Sequence, residues 1–423
     1  MKEYNIETNC VQAGYNPKSG EPRVAPIAQS TTYYYEKGED VAKLFDLEPG
    51  YMYTRLGNPT FDVVQRKIAA LEGGVGALLT SSGQAAITLA VLNVCSAGDH
   101  IIALNSLYGG SVNLLGVTFK RMGIDTTFVD TDISEEELRN RIQDNTKVIF
   151  IETLTNPGLE IPDIEMFVKV AHDNGIMVIC DNTFATPIFC RPFEYGVDVI
   201  VHSTSKYMDG HAVSLGGCIV DSGNCNWETG RYPGLTTPDE SYHGVTYTKD
   251  FGKSAYIVKA NVQLMRDLGS TPSPLNVFLL NLGLESLHVR VERHAQNALK
   301  AAQFLEANEK VTWVNYPGLP GNKYHAMAKK YLPKGTSGVI SFGVKGGKEA
   351  AMKVMDSLKL ASIVVHVADA RTSILHPAST THRQLTDQQL KDAGILPELL
   401  RFSVGIENID DIIADLEQAL EQI

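Results

Sequence analysis

From about residue 61 onward, short apolar runs alternate with segments whose apolar residues recur at helical spacing. The runs predicted to be strands are residues 77–80, 101–104, 126–129, 148–151, 177–180 and 197–201. Runs that are apolar throughout, such as 177–180, are typical of strands covered on both faces in a mainly parallel sheet.

Helices are predicted between these strands. Residues 134–137 form a capping box that opens a helix toward Ile142, and residues 163–174 have a helical periodicity that ends at Gly175. Strands that alternate with helices in this way predict the α/β class. They also predict a crevice at the carboxyl ends of the strands.

The chain is expected to divide, because 423 residues exceed one compact core. Residues 1–60 are rich in polar, Pro and Tyr residues and lack sustained periodicity, so we expect an arm that lies against a neighbouring subunit. Residues 61–269 are expected to form the large domain. Residues 270–423, which follow a Pro-rich break, are predicted to form a smaller α+β domain. Its predicted elements are a helical stretch at 275–308, strands at 311–314 and 338–342, and a helix at 410–422.

The composition indicates that the ligands are small molecules. The formal net charge is -12 and no run is rich in Lys and Arg, which argues against nucleic acid or an anionic membrane surface as a partner. No apolar stretch reaches the roughly twenty residues of a membrane helix, and the start of the chain lacks the apolar run of a signal peptide. The six cysteines are scattered without a C-x-x-C pair, which predicts reduced thiols and a cytoplasmic location.

Lys206 ends a segment, residues 199–206, in which an apolar strand runs into three hydroxyl residues. Hydroxyls can bind a cofactor's phosphate while a lysine amine forms a Schiff base with its aldehyde, so this layout points to pyridoxal phosphate. The alternative is an ordinary surface lysine, because the hydrated ammonium resists burial.

Asp181 directly follows the predicted strand at 177–180 and therefore faces the same crevice as Lys206. Its carboxylate could keep a pyridine nitrogen protonated, which makes the ring an electron sink. The alternative is an Asx turn with Asn182 and Thr183. The match with Lys206 favours the cofactor role.

Further positions could contact such a cofactor or its substrate. Ser82, Gly83 and Gln84 open a helix whose N–H groups could bind phosphate, with an ordinary Ser N-cap as the alternative. Tyr108 follows another strand and could stack on a flat ring, or belong to a plain turn. Arg401 is a lone cation in an apolar run, which indicates either a bound carboxylate ligand or an internal salt bridge.

Metal binding is not predicted. His376 and His382 flank residues 377–381, but no helical H-x-x-x-H pair or cysteine pair accompanies them, so packed or hydrogen-bonded histidines are expected. The chain also lacks a G-x-x-x-x-G-K-[ST] phosphate loop.

Taken together, these segments resemble the cysteine and methionine metabolism family of pyridoxal-phosphate enzymes over nearly the whole chain. The matching residues are 51–55, 58–60, 82–84, 107–110, 152–153, 156–157, 181–183, 203–207, 376–379 and 401–405. The resemblance implies the aminotransferase-like fold type I, with a large cofactor-binding domain and a smaller C-terminal domain.

The resemblance also implies a role for each residue. Lys206 would hold the cofactor, Asp181 would bind the pyridine nitrogen, and Tyr108 would stack on the ring and assist proton transfer. The residues implied in binding the phosphate and the rest of the cofactor are Ser82, Gly83, Gln84, Thr183, Ser203 and Ser205, joined by Tyr53 and Arg55 from a second subunit. Arg401 would bind the substrate carboxylate, with Asn156 and Tyr53 beside it. A shared site predicts a homodimer, paired into a homotetramer.

Within the family, residues 214–224 and 238–269 resemble the O-acetylhomoserine sulfhydrylases. The implied reaction is γ-replacement, in which O-acetylhomoserine and sulfide (or a thiol) give homocysteine (or methionine) and acetate. A methionine or cystathionine γ-lyase is the alternative on the same scaffold, and a non-catalytic binding protein is the alternative of another class. Asp209 and residues 366–368, beginning with His366, depart from the residues usual in the sulfhydrylases, which bears on substrate choice.

Overall fold

The larger of two sheets has seven strands. In the computed structural model, which describes residues 4–381, 383 and 394–423, their bounds are β1 Gly76–Thr80, β2 His100–Leu104, β3 Asp125–Val129, β4 Thr146–Glu152, β5 Met177–Asp181, β6 Val199–His202 and β7 Gly217–Asp221. They lie in the order β1-β7-β6-β5-β4-β2-β3. β2 to β6 run parallel to one another, and β7 runs antiparallel to both β1 and β6.

The apolar pattern predicts this sheet well. Each predicted run forms a strand within two residues of its expected bounds, and the expectation of a mainly parallel sheet in an α/β protein is confirmed. β2 and β6 are buried along their whole length, as strands covered on both faces must be. The pattern does not predict β7, because its apolar run is only Cys218, Ile219 and Val220.

Helices connect the strands. The α-helices of the described residues are α1 Ile6–Gln12, α2 Gly38–Phe45, α3 Pro59–Glu72, α4 Gly83–Leu92, α5 Gly109–Asn113, α6 Phe119–Arg121, α7 Glu135–Arg139, α8 Ile164–Asp173, α9 Thr186–Phe189, α10 Pro233–Thr236, α11 Tyr247–Phe251, α12 Ala255–Lys259, α13 Arg266–Leu268, α14 Pro274–Glu285, α15 Leu287–Ala307, α16 His325–Tyr331, α17 Gly347–Ser357 and α18 Ile409–Leu420. π-helical turns at Leu114–Thr118 and Ala260–Met265 continue α5 and α12. Among the described residues, no helix combines the length and apolar character needed to cross a bilayer.

The helix signals in the sequence are largely confirmed. The capping box is present, since Ser134 Oγ accepts from Glu137 N while a Glu137 carboxylate oxygen accepts from Ser134 N, but α7 ends at Arg139 before the predicted Ile142. α8 forms where residues 163–174 predict it. The stretch at 275–308 is divided at Ser286 into α14 and α15.

The N-terminal segment contains α1 and α2, which its aperiodic sequence does not predict. Cys10 of α1 is buried in the core, and the loop after α1 lies so close to α3 that a Cβ at Gly14 would be 2.1 Å from Val63 O. The expected arm at residues 1–60 therefore has an ordered part that packs on its own chain. Its contact with a second subunit stays a prediction.

A smaller, five-stranded sheet belongs to the C-terminal part. Its strands are β8 Val311–Asn315, β9 Val339–Val344, β10 Ser362–Ile363, β11 Ser373–Leu375 and β12 Leu399–Ser403, in the order β10-β11-β12-β9-β8. A hydrophobic cluster that includes Phe342, Phe402, Leu305 and Leu416 packs between this sheet and α15, α17 and α18. The expected α+β unit is present, and its boundary at residues 269 and 270 stays a prediction.

Candidate active site

Lys206 follows β6, with its amine inside the protein rather than in bulk solvent. Its Nζ lies 3.2 Å from Nδ1 of His366. Burial, and then the positive charge of Arg401, lower the pKa of Lys206 to about 8. An amine with this pKa is neutral in an appreciable fraction of molecules near neutral pH, as a nucleophile or a base must be. The Lys206 side chain is therefore not the ordinary surface lysine that was the alternative interpretation.

Asp181 is the last residue of β5 and pairs with Val201 of the neighbouring β6. Its Oδ1 accepts hydrogen bonds from Thr183 N at 2.9 Å and from the Thr183 hydroxyl, so the Asx turn is present. Within the described part of the chain, no hydrogen bond reaches Oδ2. The two readings of Asp181 are thus compatible, because the turn uses one carboxylate oxygen and leaves the other for a ligand.

The charge of Asp181 is set by its neighbours. Burial raises the pKa of Asp181, while the Thr183 hydrogen bonds and the positive charge of His202 act in the opposite direction. His202 Nε2 lies 2.6 Å from Glu72 Oε1, and both side chains are almost fully buried. This buried pair lies beside Asp181 and supports its ionised form. A cation at Oδ2 would further offset the free-energy cost of burying the Asp181 carboxylate.

Glu152 ends β4 and pairs with Asp181 across the sheet. Its Oε1 accepts from Tyr108 N at 2.8 Å, which fixes the loop that carries Tyr108. Burial, and then the nearby Asp181 charge, raise the pKa of Glu152 well above its ordinary range. Two carboxylates at adjacent strand ends repel each other, so ionisation of both costs free energy. The neighbouring charges distinguish the two groups: His202 lowers the pKa of Asp181, whereas Asp181 raises the pKa of Glu152, so Asp181 is the ionised member.

Gly83 lets the start of α4 approach the end of β6. A Cβ at Gly83 would lie 2.7 Å from Ser203 Cβ, which is closer than any side chain allows. Ser82 caps α4 by accepting from Ala85 N at 3.1 Å, so the N-cap alternative holds. The N–H groups of Gly83 and Gln84 lie in the first turn, where no helical carbonyl is available to them. The positive end of α4 and Ser203 therefore form a small polar cradle suited to phosphate.

The two serines beside Lys206 are not equivalent. Ser205 Oγ accepts from Gly216 N at 3.1 Å and donates to Gly216 O at 3.2 Å, so its hydroxyl is committed within the protein. No hydrogen bond in the described residues uses the Ser203 hydroxyl. The geometry therefore favours Ser203 over Ser205 as a phosphate ligand, and the predicted role of Ser205 rests on the resemblance alone.

Tyr108 presents an exposed ring, with 49% of the residue accessible. A Cβ at Gly110 would lie 2.5 Å from both Gln84 Nε2 and the Tyr108 ring. The Tyr108 loop and the α4 cradle therefore border the same space. An exposed aromatic face at this position suits stacking on a flat ligand.

Arg401 of β12 is buried, with 6% of the residue exposed. Its Nη2 donates to Val365 O at 2.9 Å and its Nη1 to Asn156 Oδ1 at 3.5 Å, while its Nε finds no partner in the residues that the structure describes. Among the described residues no carboxylate forms an ion pair with it. Burial lowers the pKa of Arg401 to about 10, so it stays a cation. Within the described part of the chain the internal salt bridge is thus not formed, and the guanidinium is available to a carboxylate ligand.

Tyr53 and Arg55 lie together, as a cation over an aromatic ring. The Arg55 guanidinium carbon is 5.1 Å from the centroid of the Tyr53 ring. Arg55 also lies near Gly269, since a Cβ at Gly269 would be 4.0 Å from Arg55 Cδ. Arg55 Nε is buried and has no hydrogen-bond partner among residues 4–381, 383 and 394–423. No hydrogen bond or ion pair in the described residues joins either side chain to Lys206. Their predicted action in a second subunit's site stays a prediction.

His376 is a buried, hydrogen-bonded histidine. Its Nδ1 pairs with Ser379 Oγ at 2.8 Å and its Nε2 with Pro397 O at 2.7 Å. His382 lies outside the described residues. Within residues 4–381, 383 and 394–423, no group of three or more His, Cys, Asp or Glu side chains is arranged to hold a metal ion.

Residues 7–421 match the family model for Cys/Met metabolism PLP-dependent enzymes. The chain belongs to this family. Family members include the O-acetyl-L-homoserine sulfhydrylase of Leptospira meyeri, 45% identical over 433 residues that cover 100% of this chain and 98% of that protein. The homocysteine synthase of Schizosaccharomyces pombe is 44% identical over 426 residues, covering 100% and 99%.

A solved structure supports the same family. The O-acetylhomoserine (thiol)-lyase of Campylobacter jejuni superposes with a TM-score of 0.95 at 41% identity, covering 99% of this chain and 100% of that one, and carries a pyridoxyl-lysine at its position 205. The predictions of fold class and of a pyridoxal-phosphate enzyme are thereby confirmed. The non-catalytic binding protein is not favoured.

The residues present fit the cofactor of this family. The free Oδ2 of Asp181 would meet the pyridine nitrogen, the α4 cradle with Ser203 would hold the phosphate, and Lys206 would reach the aldehyde. Each group has an unfilled capacity of the matching kind: an acceptor oxygen, free N–H donors and an amine whose pKa is lowered to about 8.

Sequence reasoning missed several residues that shape the site. Glu152 and His202 stand within or beside the motifs of the family but received no role, and Glu72 stands in a helix without any signal. A charged residue at the end of an apolar strand, which describes Glu152 and His202, could have drawn attention to both. The contact of His366 with Lys206 joins residues 160 positions apart, which no local pattern predicts.

Proposed function

We propose that this protein is a pyridoxal-phosphate O-acetylhomoserine sulfhydrylase, which makes homocysteine and acetate from O-acetylhomoserine and sulfide. The observation that carries the proposal is the buried guanidinium of Arg401, which has no carboxylate partner among the described residues and is close enough to Lys206 to lower the pKa of its amine. A cation that binds the carboxylate of an α-amino acid beside a basic amine places Cα within reach of that base. The names of the relatives narrow the amino acid to O-acetylhomoserine.

The chain's own residues would then act in sequence. Arg401 and Asn156 hold the substrate carboxylate, and Lys206 Nζ takes the proton from Cα. The chemistry that pyridoxal phosphate supplies when bound is withdrawal of electrons from Cα, which Asp181 strengthens by holding a proton at the pyridine nitrogen. A second proton leaves Cβ, acetate leaves Cγ, and sulfide adds there. The proton steps then reverse.

Product analysis of the purified, cofactor-loaded protein tests this function. With O-acetylhomoserine and sulfide we expect homocysteine and acetate in equal amounts, and little reaction when sulfide is omitted. O-succinylhomoserine and methanethiol, supplied in parallel, define the acyl group and the thiol. Release of 2-oxobutanoate and ammonia from methionine or cystathionine as the dominant reaction would instead show the γ-lyase, and contradict the proposal.

Replacement of Arg401 by Lys should weaken binding of the amino-acid substrate. The ammonium keeps the charge but loses the planar fork, so KM for O-acetylhomoserine should rise about 10- to 100-fold, with a smaller change in kcat. Arg231, which donates to the backbone carbonyls of Asp144 and Thr146 at the opposite edge of the sheet, offers a matched control as Arg231→Lys. An unchanged KM in Arg401→Lys would remove Arg401 from substrate binding.

We further propose a dimer that shares its active sites. No hydrogen bond or ion pair among the described residues joins Tyr53 or Arg55 to Lys206 of their own chain, and within those residues the Nε of Arg55 is a donor without an acceptor. Such a donor suits the phosphate of a neighbouring subunit's cofactor, and isologous dimers place the same surface on both subunits. A tetramer would be a pair of these dimers.

Mixing two inactive variants tests the shared site. Arg55→Ala and Lys206→Ala subunits, unfolded together and refolded, should regain about a quarter of wild-type activity, because half of the dimers are mixed and each has one intact site. Each variant refolded alone should stay inactive. If Arg55 acted within its own chain, no mixed dimer would contain an intact site and no activity would return.

The cytoplasm is the location that we propose. Each of the six cysteines is a free thiol in the structure, and five of them are buried. Unpaired core thiols are typical of proteins that function in a reducing compartment. Fractionation of the native host, with homocysteine-forming activity as the marker, tests this location.

A further inference from the structure

A buried polar network lies at the carboxyl ends of β4, β5 and β6. It consists of Glu72, the last residue of α3, together with His202, Asn182 and Thr153. Thr153 Oγ1 donates to Asn182 Oδ1 at 2.7 Å, and Asn182 Nδ2 donates to Glu72 Oε1 at 3.0 Å. The same Glu72 oxygen lies 2.6 Å from His202 Nε2. Each of the four residues is at most 1% exposed, so these contacts form without competition from solvent.

The Glu72 network adjoins Asp181 on two strands. Asn182 directly follows Asp181, and His202 directly follows Val201, which pairs with Asp181 across β5 and β6. Asn182 N also donates to Val201 O at 3.0 Å, which holds the two strand ends together. A change in the network is therefore transmitted to Asp181 through its immediate neighbours.

Glu72 and His202 form an ion pair within this network. Glu72 Oε1 accepts from Asn182 and contacts His202, whereas Oε2 has no partner among the described residues. A proton on Oε2 would thus have no acceptor there, which favours the carboxylate. A carboxylate is costly to bury without a cation, and the His202 imidazolium supplies that cation. In the part of the chain that the structure describes, Nδ1 of His202 has no partner, so Glu72 is the group that stabilises a charge on this ring.

The charge of His202 acts on Asp181. Burial raises the pKa of Asp181, and the positive charge of His202 opposes that effect. The other ionisable side chains around the network are acids whose pKa burial raises, namely Glu152, Cys180, Cys190 and Cys218. They supply no positive charge. Apart from the hydrogen bonds of Thr183, His202 is what favours the ionised form of Asp181 among the described residues.

These contacts give Glu72 a role at a distance from the cofactor. We propose that Glu72 is a positioning residue, which through His202 keeps Asp181 ionised and so keeps a proton on the pyridine nitrogen. That proton makes the ring an electron sink. The inference rests on the proposed function, in which Asp181 holds the pyridine nitrogen, and extends it to a residue of α3. No hydrogen bond or ion pair of the described residues joins Glu72 to Lys206.

Competition between two cofactors tests this role without any measurement of turnover. Deazapyridoxal phosphate has a C–H in place of the ring nitrogen, so it cannot carry the proton that Asp181 holds. The full-length protein, freed of cofactor, is equilibrated with both compounds in excess, and the bound amount of each is measured by mass spectrometry. The preference is the ratio of the two dissociation constants. Wild-type protein should prefer pyridoxal phosphate by about 10- to 100-fold, the range for a hydrogen bond to a charged partner.

Glu72→Gln keeps the size of the side chain and removes its charge. The preference for pyridoxal phosphate should fall by about 10-fold, because His202 loses the partner that stabilises its charge. Asp198→Asn is the matched control. Asp198 is a second buried carboxylate paired with a histidine, since its Oδ2 lies 2.9 Å from His172 Nε2, but it directly precedes β6, at the edge of the sheet opposite Asp181. Its replacement should leave the preference at the wild-type value.

A double variant guards against failure of the single variant to fold. Glu72→Gln combined with His202→Gln replaces both charges of the pair by neutral amides, so that no unpaired charge is buried. Its preference should show the same fall of about 10-fold, with no further loss, because the two residues act as one unit.

The outcomes have distinct meanings. Weaker binding of both compounds with an unchanged preference, in the single or the double variant, would show that Glu72 only supports the fold and would overturn the inference. A similar fall in Asp198→Asn would assign the effect to a general loss of stability and would overturn it too. Absence of any preference in the wild-type protein would instead refute the assignment of Asp181 to the pyridine nitrogen, on which the proposed function depends.

Discussion

Lys206→Ala should lower the rate of homocysteine formation by about four orders of magnitude or more, the scale seen when a residue that is central to catalysis is removed. The variant should still fold, because the Lys206 side chain makes a single hydrogen bond within the described residues, to His366. It should also still take up pyridoxal phosphate, held by Asp181 and the α4 cradle. In the wild-type apoenzyme, capture of the cofactor should become faster as pH rises through about 8, because only the neutral amine attacks the aldehyde.

Lys259 provides the matched control for this prediction. Burial also lowers the pKa of Lys259 to about 8, but its Nζ donates to Asn93 O at 2.9 Å, and it lies on α12 rather than at the end of β6. Lys259→Met should therefore change stability and leave kcat nearly unaltered. Near-normal turnover in Lys206→Ala, or a comparable loss in Lys259→Met, would contradict the role given to Lys206.

Asp181→Asn should lower kcat by about 100- to 10,000-fold, the range expected when a group that controls a proton is lost. The amide can keep the Asx turn with Thr183 through its oxygen, but it carries no charge to hold a proton at the pyridine nitrogen. The loss should appear in kcat more than in KM, because Arg401 still binds the substrate. Steady-state kinetics, with the cofactor content of each preparation measured, would show it.

Asp221→Asn is the control for burial of a carboxyl group. Asp221 is also buried, forms a turn through Gly223 N at 2.8 Å, and has a pKa raised by burial to about 7. It pairs with Val199 at the start of β6, the edge of the sheet opposite Asp181. Its replacement should alter stability without a large effect on kcat. Equal losses in the two variants would assign the effect of Asp181→Asn to folding.

The sheet was the most predictable part of the fold. A strand buried on both faces needs apolar residues at every position, so β2, β5 and β6 are readable from short windows. β7 was not predicted, because three apolar residues are too few to distinguish a strand. Only its pairing with β1 and β6 stabilises it. α1 and α2 were not predicted, because packing of Cys10 and Leu44, rather than periodicity along the chain, stabilises these two short helices.

The candidate site was predictable as a set of positions, and less so as a set of interactions. Asp181 and Lys206 follow from the rule that parallel strands direct their carboxyl ends to one edge. Whether Arg401 meets a carboxylate of its own chain depends on strand pairing in the small sheet, so only the structure could show that no described carboxylate pairs with it. The same holds for His366 and Glu152, whose partners are far away along the chain.

The most direct measurement is to reduce the cofactor-loaded protein with borohydride and locate the pyridoxyl group by peptide mass spectrometry. The account predicts one labelled site, Lys206, with loss of homocysteine formation in proportion to labelling. Lys67 and Lys259, which burial also shifts to a lower pKa, are the informative competitors. A pyridoxyl group on either of them, with Lys206 unmodified, would contradict the account.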